Sequence, residues 1–185
     1  MRLDRPRIAP LGDGDLDDEQ REVLAPFGGS VLNIFRTMAR APKALKRFNL
    51  WGGYILSDRN SLGVRERELL ILRTGWLCRS GYEWVQHTRI GLQSGLTQDE
   101  IERIKRGPGA DGWSAGDAAL LRVADDLVGD FFVSDATWAG LSGLTEKQRM
   151  DAVFTVGQYT QVSMFLNSFG VQLDEGQTLD ADFPR

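Results

Sequence analysis

The chain has 185 residues, 42% hydrophobic and 26% charged, which is room for one compact domain with a sizeable core and argues against disorder. Its 22 Lys and Arg against 26 Asp and Glu leave a net charge of −4, with no excess of basic residues to clamp nucleic-acid phosphates. One cysteine, Cys78, and one histidine, His87, exclude an intrachain disulfide framework and any multi-cysteine or multi-histidine metal centre in a single chain, so neither metal nor cofactor is expected.

The first residues, Met-Arg-Leu-Asp-Arg-Pro-Arg, have no apolar stretch behind their charges and do not read as a secretory signal. No apolar run approaches the roughly 18 residues of a membrane span. A cytoplasmic protein with no membrane partner is expected. Residues 1–16 read as a loosely structured arm, punctuated by Pro6, Pro10 and Gly12-Asp13-Gly14. A single helical domain is expected over 17–185, with helical signals from Asp17 to about Phe183.

Asp17-Asp18-Glu19-Gln20 has the acidic first turn of a helix, which Pro26 and Gly28-Gly29 terminate. Ser30 is placed to cap a segment over 31–40, and Pro42 suits the first turn of a third helix running to about Leu56. Two helices are expected at about 64–79 and 82–94. Thr97-Gln98-Asp99-Glu100, Ser114-Ala115-Gly116-Asp117 and Thr145-Glu146-Lys147-Gln148 match or nearly match a capping box, and Ser134-Asp135-Ala136-Thr137 opens a short helix. Gly107 to Gly112 is a linker. No period-two strand appears, so the fold is all-α. From Met150 to Val171 apolar residues fall on several faces, and this segment is expected to be enclosed by other helices or by a partner subunit. Gln158, Gln161 and Asn167 within it need hydrogen-bond partners or line a cavity.

Two of these helices carry the residues suited to chemistry. On the first, Glu68 shares a helical stripe with Ile71, Leu72 and Gly75, where a carboxylate is costly unless a proton, cation or donor attends it. On the second, Glu83 and His87 are four residues apart, so their side chains can touch. A carboxylate that orients an imidazole is a common general acid or base, and a structural His–Glu pair is the alternative. Trp84 lies on the His87 stripe. Cys78 has no second cysteine with which to form a dithiol; it is a small core residue or a lone redox candidate.

The segment Arg65-Glu66-Arg67-Glu68-Leu69-Leu70-Ile71-Leu72-Arg73, then Cys78-x-x-x-Tyr82-Glu83-Trp84-x-x-His87, then Gly91-x-x-x-Gly95-Leu96-Thr97, resembles the carboxymuconolactone decarboxylase family and its AhpD-like relatives. Gly157-Gln158-Tyr159 and Met164-Phe165-Leu166-Asn167 are similar to the end of the same domain. The resemblance implies an all-helical, AhpD-like domain of about eight to ten helices that assembles into trimers or hexamers, with the site near a subunit boundary. It also implies that Glu68 stands at the proton-relay glutamate of the peroxidase branch and His87 at its histidine. The two cysteine positions of that branch are Ser80 and Glu83 here, and Cys78 falls two residues early, so its usual dithiol peroxidase chemistry is not expected.

What remains suits a cofactor-free lyase (a decarboxylase) or isomerase acting on a small carboxylic acid or lactone. Glu68, Glu83 and His87 are its expected catalytic residues, and Tyr82, Trp84, Gln158 and Gln161 are expected to bind substrate. A peroxidase using Cys78 alone and a non-catalytic helical oligomer are the alternatives.

Overall fold

Helix starts in this molecule are set largely by side chains that accept from backbone N–H groups. The computed structural model describes residues 1–184. Nine α-helices and no strands form among them: α1 (Asp18–Leu24), α2 (Asn33–Met38), α3 (Pro42–Leu56), α4 (Val64–Leu77), α5 (Gly81–Gln93), α6 (Gln98–Arg106), α7 (Ala115–Asp130), α8 (Asp135–Gly140) and α9 (Glu146–Phe169). Asp17, Thr97 and Thr145 each form a reciprocal capping box with the residue three positions on, and Ser114 and Ser134 cap α7 and α8. Such a cap stabilises a helix by about 1 kcal/mol.

α2 departs from the local expectation. It is shorter than 31–40 and begins after Leu32, with no contribution from Ser30. Its first N–H is satisfied from a distance: Asn33 N–H donates to Asp174 Oδ1 at 2.8 Å, so a tertiary contact replaces the local cap.

The helix surrounded on all sides is α4. Leu69, Leu70, Ile71 and Leu72 are all fully buried, and four successive residues cover every direction around a helix. α5, α6, α7 and α9 pack against it. α9, expected to be enclosed, is covered by this chain on one side only. Asp151, Thr155, Gln158, Val162 and Leu166 face inward, whereas Met150 and Met164 are more than half exposed. Arg73, buried on α4, donates to Asp125 at 2.6 Å and to the carbonyl oxygens of Ile104 and Lys105 at the end of α6.

The helical signals end sooner than Phe183. Gly170 closes α9 at a left-handed φ of +69°, where a Cβ would lie 3.0 Å from the carbonyl oxygen of Arg5. Beyond it the chain is non-helical and docks along α5: Tyr82 Oη and Trp84 Nε1 donate to Asp174 and Asp180, and Phe183 packs between Trp76 and Trp84. The arm at 1–16 is strapped to its own chain. Arg7 and Ile8 N–H donate to the Phe169 carbonyl, and Leu11 is buried beside α2. No helix among the described residues is long and apolar enough to cross a membrane.

Candidate active site

α4 and α5 lie side by side, which brings Glu68 against His87. Both are buried, and Glu68 Oε2 is 2.8 Å from His87 Nδ1. An ionised Glu68 accepts from Nδ1–H, fixes that tautomer and leaves Nε2 free of the pair. Tyr159, from α9, meets the imidazole edge to face, with centroids 4.8 Å apart and planes at 86°. The ring is thereby held on two sides. His87 also lines a cavity of about 470 Å³ enclosed mainly by α3, α5 and α9.

Glu83 does not pair with His87, although the spacing allows it. It turns inward instead, where Ser163 Oγ donates to Oε2 at 3.0 Å. Its carboxyl lies over Gly75, where a Cβ would come within 2.8 Å of Oε1. Oε1 itself has no partner. Burial pushes the Glu83 carboxyl well above the usual carboxylate range, and the nearby charge of Glu68 pushes it the same way. Burial therefore favours the protonated form of Glu83, which stands on the cavity wall. Ser80 and Glu83 also have the spacing of a capping box at the start of α5, yet Ser80 makes no cap and its hydroxyl is buried without a partner. Burial of the two side chains overrides the local capping preference.

Of the other expected residues, Tyr82 and Gln158 line the cavity. The Tyr82 hydroxyl is committed to Asp174 at 2.6 Å, so the ring alone is offered to a ligand; burial pushes that hydroxyl well above its ordinary value. Trp84 lies outside the cavity. Its indole is fully buried with Trp76 and Phe183, its Nε1–H donates to Asp180 at 2.9 Å, and it holds the C-terminal tail. Gln161 points outward from α9 and is exposed. Cys78 caps the end of α4, away from the cavity wall. Its thiol is pushed up to about 11, chiefly by burial, so it is not an activated thiolate.

Three contributors escaped the sequence reading. Tyr159 braces His87. Arg89, exposed on α5, is the sole Lys or Arg on the cavity wall among the described residues. Gly52 and Gly53 form part of the α3 wall, and their signal was legible as two adjacent glycines inside an otherwise helix-favouring segment. Among the described residues no group of three or more His, Cys, Asp or Glu side chains is arranged to hold a metal ion.

Residues 42–126 match the model of the carboxymuconolactone decarboxylase family. No curated protein matches the sequence. Among solved structures, the chain is similar to an alkylhydroperoxidase AhpD core protein, an uncharacterized peroxidase-related protein from Ralstonia eutropha JMP134. The TM-score is 0.76 at 20% identity, over 91% of this chain and 93% of that one. An uncharacterized peroxidase-related protein from Silicibacter sp. TM1040 aligns with a TM-score of 0.71 at 17% identity, over 98% and 93% of the two chains. The debrominase Bmp8 in complex with 2,3,4-tribromopyrrole aligns with a TM-score of 0.73 at 13% identity, over 91% of each chain. At these identities the likeness is one of fold. Residues 42–126, which hold Glu68, Glu83 and His87, are thus similar to the carboxymuconolactone decarboxylase family, and the helices of the chain take the AhpD-like fold.

Proposed function

We propose that the chain is a cofactor-free decarboxylase or isomerase that moves protons on a small, largely apolar organic acid or lactone. The observation that carries this reading is the buried Glu68–His87 pair, 2.8 Å apart, whose imidazole lines a 470 Å³ cavity together with Glu83, a carboxyl that burial pushes toward its protonated form. An imidazole oriented by one carboxyl, with a second carboxyl whose burial favours its protonated form on the same cavity wall, supplies both a base and an acid. In a decarboxylation, the C–C bond to the substrate carboxylate breaks and CO₂ leaves. The electron pair passes into an adjacent unsaturated carbonyl, and one proton is delivered to the carbon. His87 Nε2–H is the donor in this scheme, Glu68 steadies the imidazolium, and Glu83 donates a hydrogen bond to the oxygen on which charge develops. Arg89 at the wall attracts the anionic substrate.

The debrominase of the same fold is in complex with a small planar heterocycle, which agrees with a ring-sized ligand here. Peroxidase chemistry at Cys78 is disfavoured by a thiol held at about 11 and by a position outside the cavity lining. Assembly into a homo-oligomer is part of the same proposal: Leu50, Trp51 and Leu56 leave much of their apolar surface exposed along α3, and Leu56 also lines the cavity. Light scattering that gives a monomer would remove it.

The direct test is CO₂ release from a panel of carboxylated lactones and β-keto acids by wild type and His87→Ala. Turnover that falls by about 10²–10⁴ in the variant supports the assignment. Equal turnover by both proteins overturns the role of His87, and none by either overturns the lyase reading.

A further inference from the structure

Three tyrosines occur in the chain, and the hydroxyls of two are committed to carboxylates. Tyr54 Oη donates to Asp151 at 2.7 Å, and Tyr82 Oη donates to Asp174 at 2.6 Å. Tyr159 is the exception. It is 6% exposed and lines the cavity, yet its hydroxyl has no hydrogen-bond partner among the described residues. A buried tyrosine hydroxyl ordinarily finds one. Nor is this oxygen sealed within the packing, as Ser80 Oγ and Gln158 Oε1 are, and the open space beside the residue is the cavity that its ring lines.

The hydroxyl also belongs to the same group of side chains as the Glu68–His87 pair. The Tyr159 ring stands edge to face against His87, 4.8 Å between centroids. Burial pushes the phenol well above its ordinary value of 10.0, and the charge of Glu68 pushes it the same way, so it keeps its proton near neutral pH. A phenol in that state donates to an oxygen and does not act as a base. Phe35, Phe48, Leu56 and Val162 make the surrounding wall apolar, where a fixed donor acts more strongly than in water.

We propose that Tyr159 is a catalytic residue whose hydroxyl donates to the substrate oxygen that becomes an enolate oxygen. This deepens the proposed function and rests on that reading of the cavity as the reaction site. When the C–C bond to the carboxylate breaks and CO₂ leaves, the bonding pair passes into the adjacent carbonyl, whose oxygen takes the negative charge. Tyr159 Oη–H holds that oxygen and keeps its own proton. His87 Nε2–H then protonates the carbon, and the carbonyl re-forms. A tyrosine hydroxyl working with a carboxyl kept protonated by an apolar site is a known way to hold an enolate oxygen, and Glu83 is the carboxyl here whose burial favours that form. The substrate class narrows accordingly: a β-keto acid or an acid conjugated to a lactone carbonyl qualifies, and a simple aliphatic acid does not.

The test uses 4-nitrophenol, whose phenolate presents an enolate-like oxygen and whose absorbance reports its ionisation. Binding needs no turnover, which separates this inference from the lyase reading. Wild type is expected to bind the phenolate in preference to the neutral phenol, so the ionised fraction rises on binding. Tyr159→Phe keeps the ring against His87 and should bind the phenolate about tenfold or more weakly. With any lactone acid or β-keto acid that is turned over, the same variant should lower kcat by about 10²–10³ and leave KM nearly unchanged. Should Tyr159→Phe not fold, replacing all three tyrosines by 3-fluorotyrosine, a stronger donor, must tighten phenolate binding, because the other two hydroxyls are committed within the protein. Equal phenolate affinity in wild type and Tyr159→Phe, binding of the neutral phenol alone, no binding to wild type, or an unchanged kcat overturns the proposal. Loss of phenolate affinity in Tyr159→Phe without turnover of any substrate sustains the contact and sinks only the lyase reading.

Discussion

Asp151 and Gln158 sit two turns apart on the same face of α9, both are almost fully buried, and they have opposite fates. Asp151 accepts four hydrogen bonds of 2.6–2.7 Å, from Tyr54 Oη, Ser61 N, Ser61 Oγ and Lys147 Nζ. These donors hold its carboxyl well below the usual carboxylate range. Gln158 Oε1 accepts none. The first group ties α9 to the end of α3 and the loop after it; the second faces a cavity. A polar group buried and satisfied contributes to the fold, whereas one buried and left unpaired costs stability.

The contrast can be broken from either side. The largest expected effect lies at the open end, where His87→Ala lowers turnover by about 10²–10⁴ in the CO₂ assay while the melting profile stays cooperative. At the closed end, Asp151→Ala strips Tyr54 and Ser61 of their shared acceptor and is expected to cost about 3 kcal/mol in urea unfolding. Gln158→Leu removes an unpaired group, and its unfolding free energy should change by less than about 1 kcal/mol. Equal losses at Asp151 and Gln158 would erase the distinction.

Glu83 gives a pH signature. Its folded-state carboxyl is raised above the ordinary value of 4.5, so the unfolded chain releases a proton that the folded chain retains. The stability linked to this group is fully present below 4.5 and is lost as pH rises towards the folded-state value. Glu83→Gln cannot ionise. Its melting temperature relative to wild type should therefore be higher at pH 8 than at pH 5, and a difference independent of pH would refute the upward shift of the Glu83 carboxyl. The smallest expected effect is at Gly53→Ala, which should stabilise α3 by about 0.5–1 kcal/mol while adding a methyl group to the cavity wall.

Much of the scaffold was legible because it is local. The capping boxes at Asp17, Thr97 and Thr145 need only residues three positions apart, and Pro42 marks the first turn of α3 without reference to anything else. The misreadings have one common cause. The start of α2 depends on Asp174, 141 positions away, and the tail after Gly170 is held by contacts to α5 that no helical period encodes. At the site, Glu68 and His87 were identifiable as residues but not as partners. Spacing favoured Glu83 for His87, and only the packing of α4 on α5 brought Glu68 within 2.8 Å. Trp84 shares the His87 stripe in sequence, yet its side chain points into the cluster that holds the tail.

The sequence by itself determined the helical class, most helix boundaries, the absence of a dithiol and the identity of the titratable residues. These follow from short-range hydrogen bonding, apolar periodicity and residue type. Tertiary structure decided which carboxylate serves the imidazole, which is pushed toward its protonated form, and which amide oxygen is left unpaired. Each of those outcomes depends on burial and on distances between helices far apart in the chain, and desolvation, which sets whether a carboxyl keeps its proton, exists only once the helices have packed.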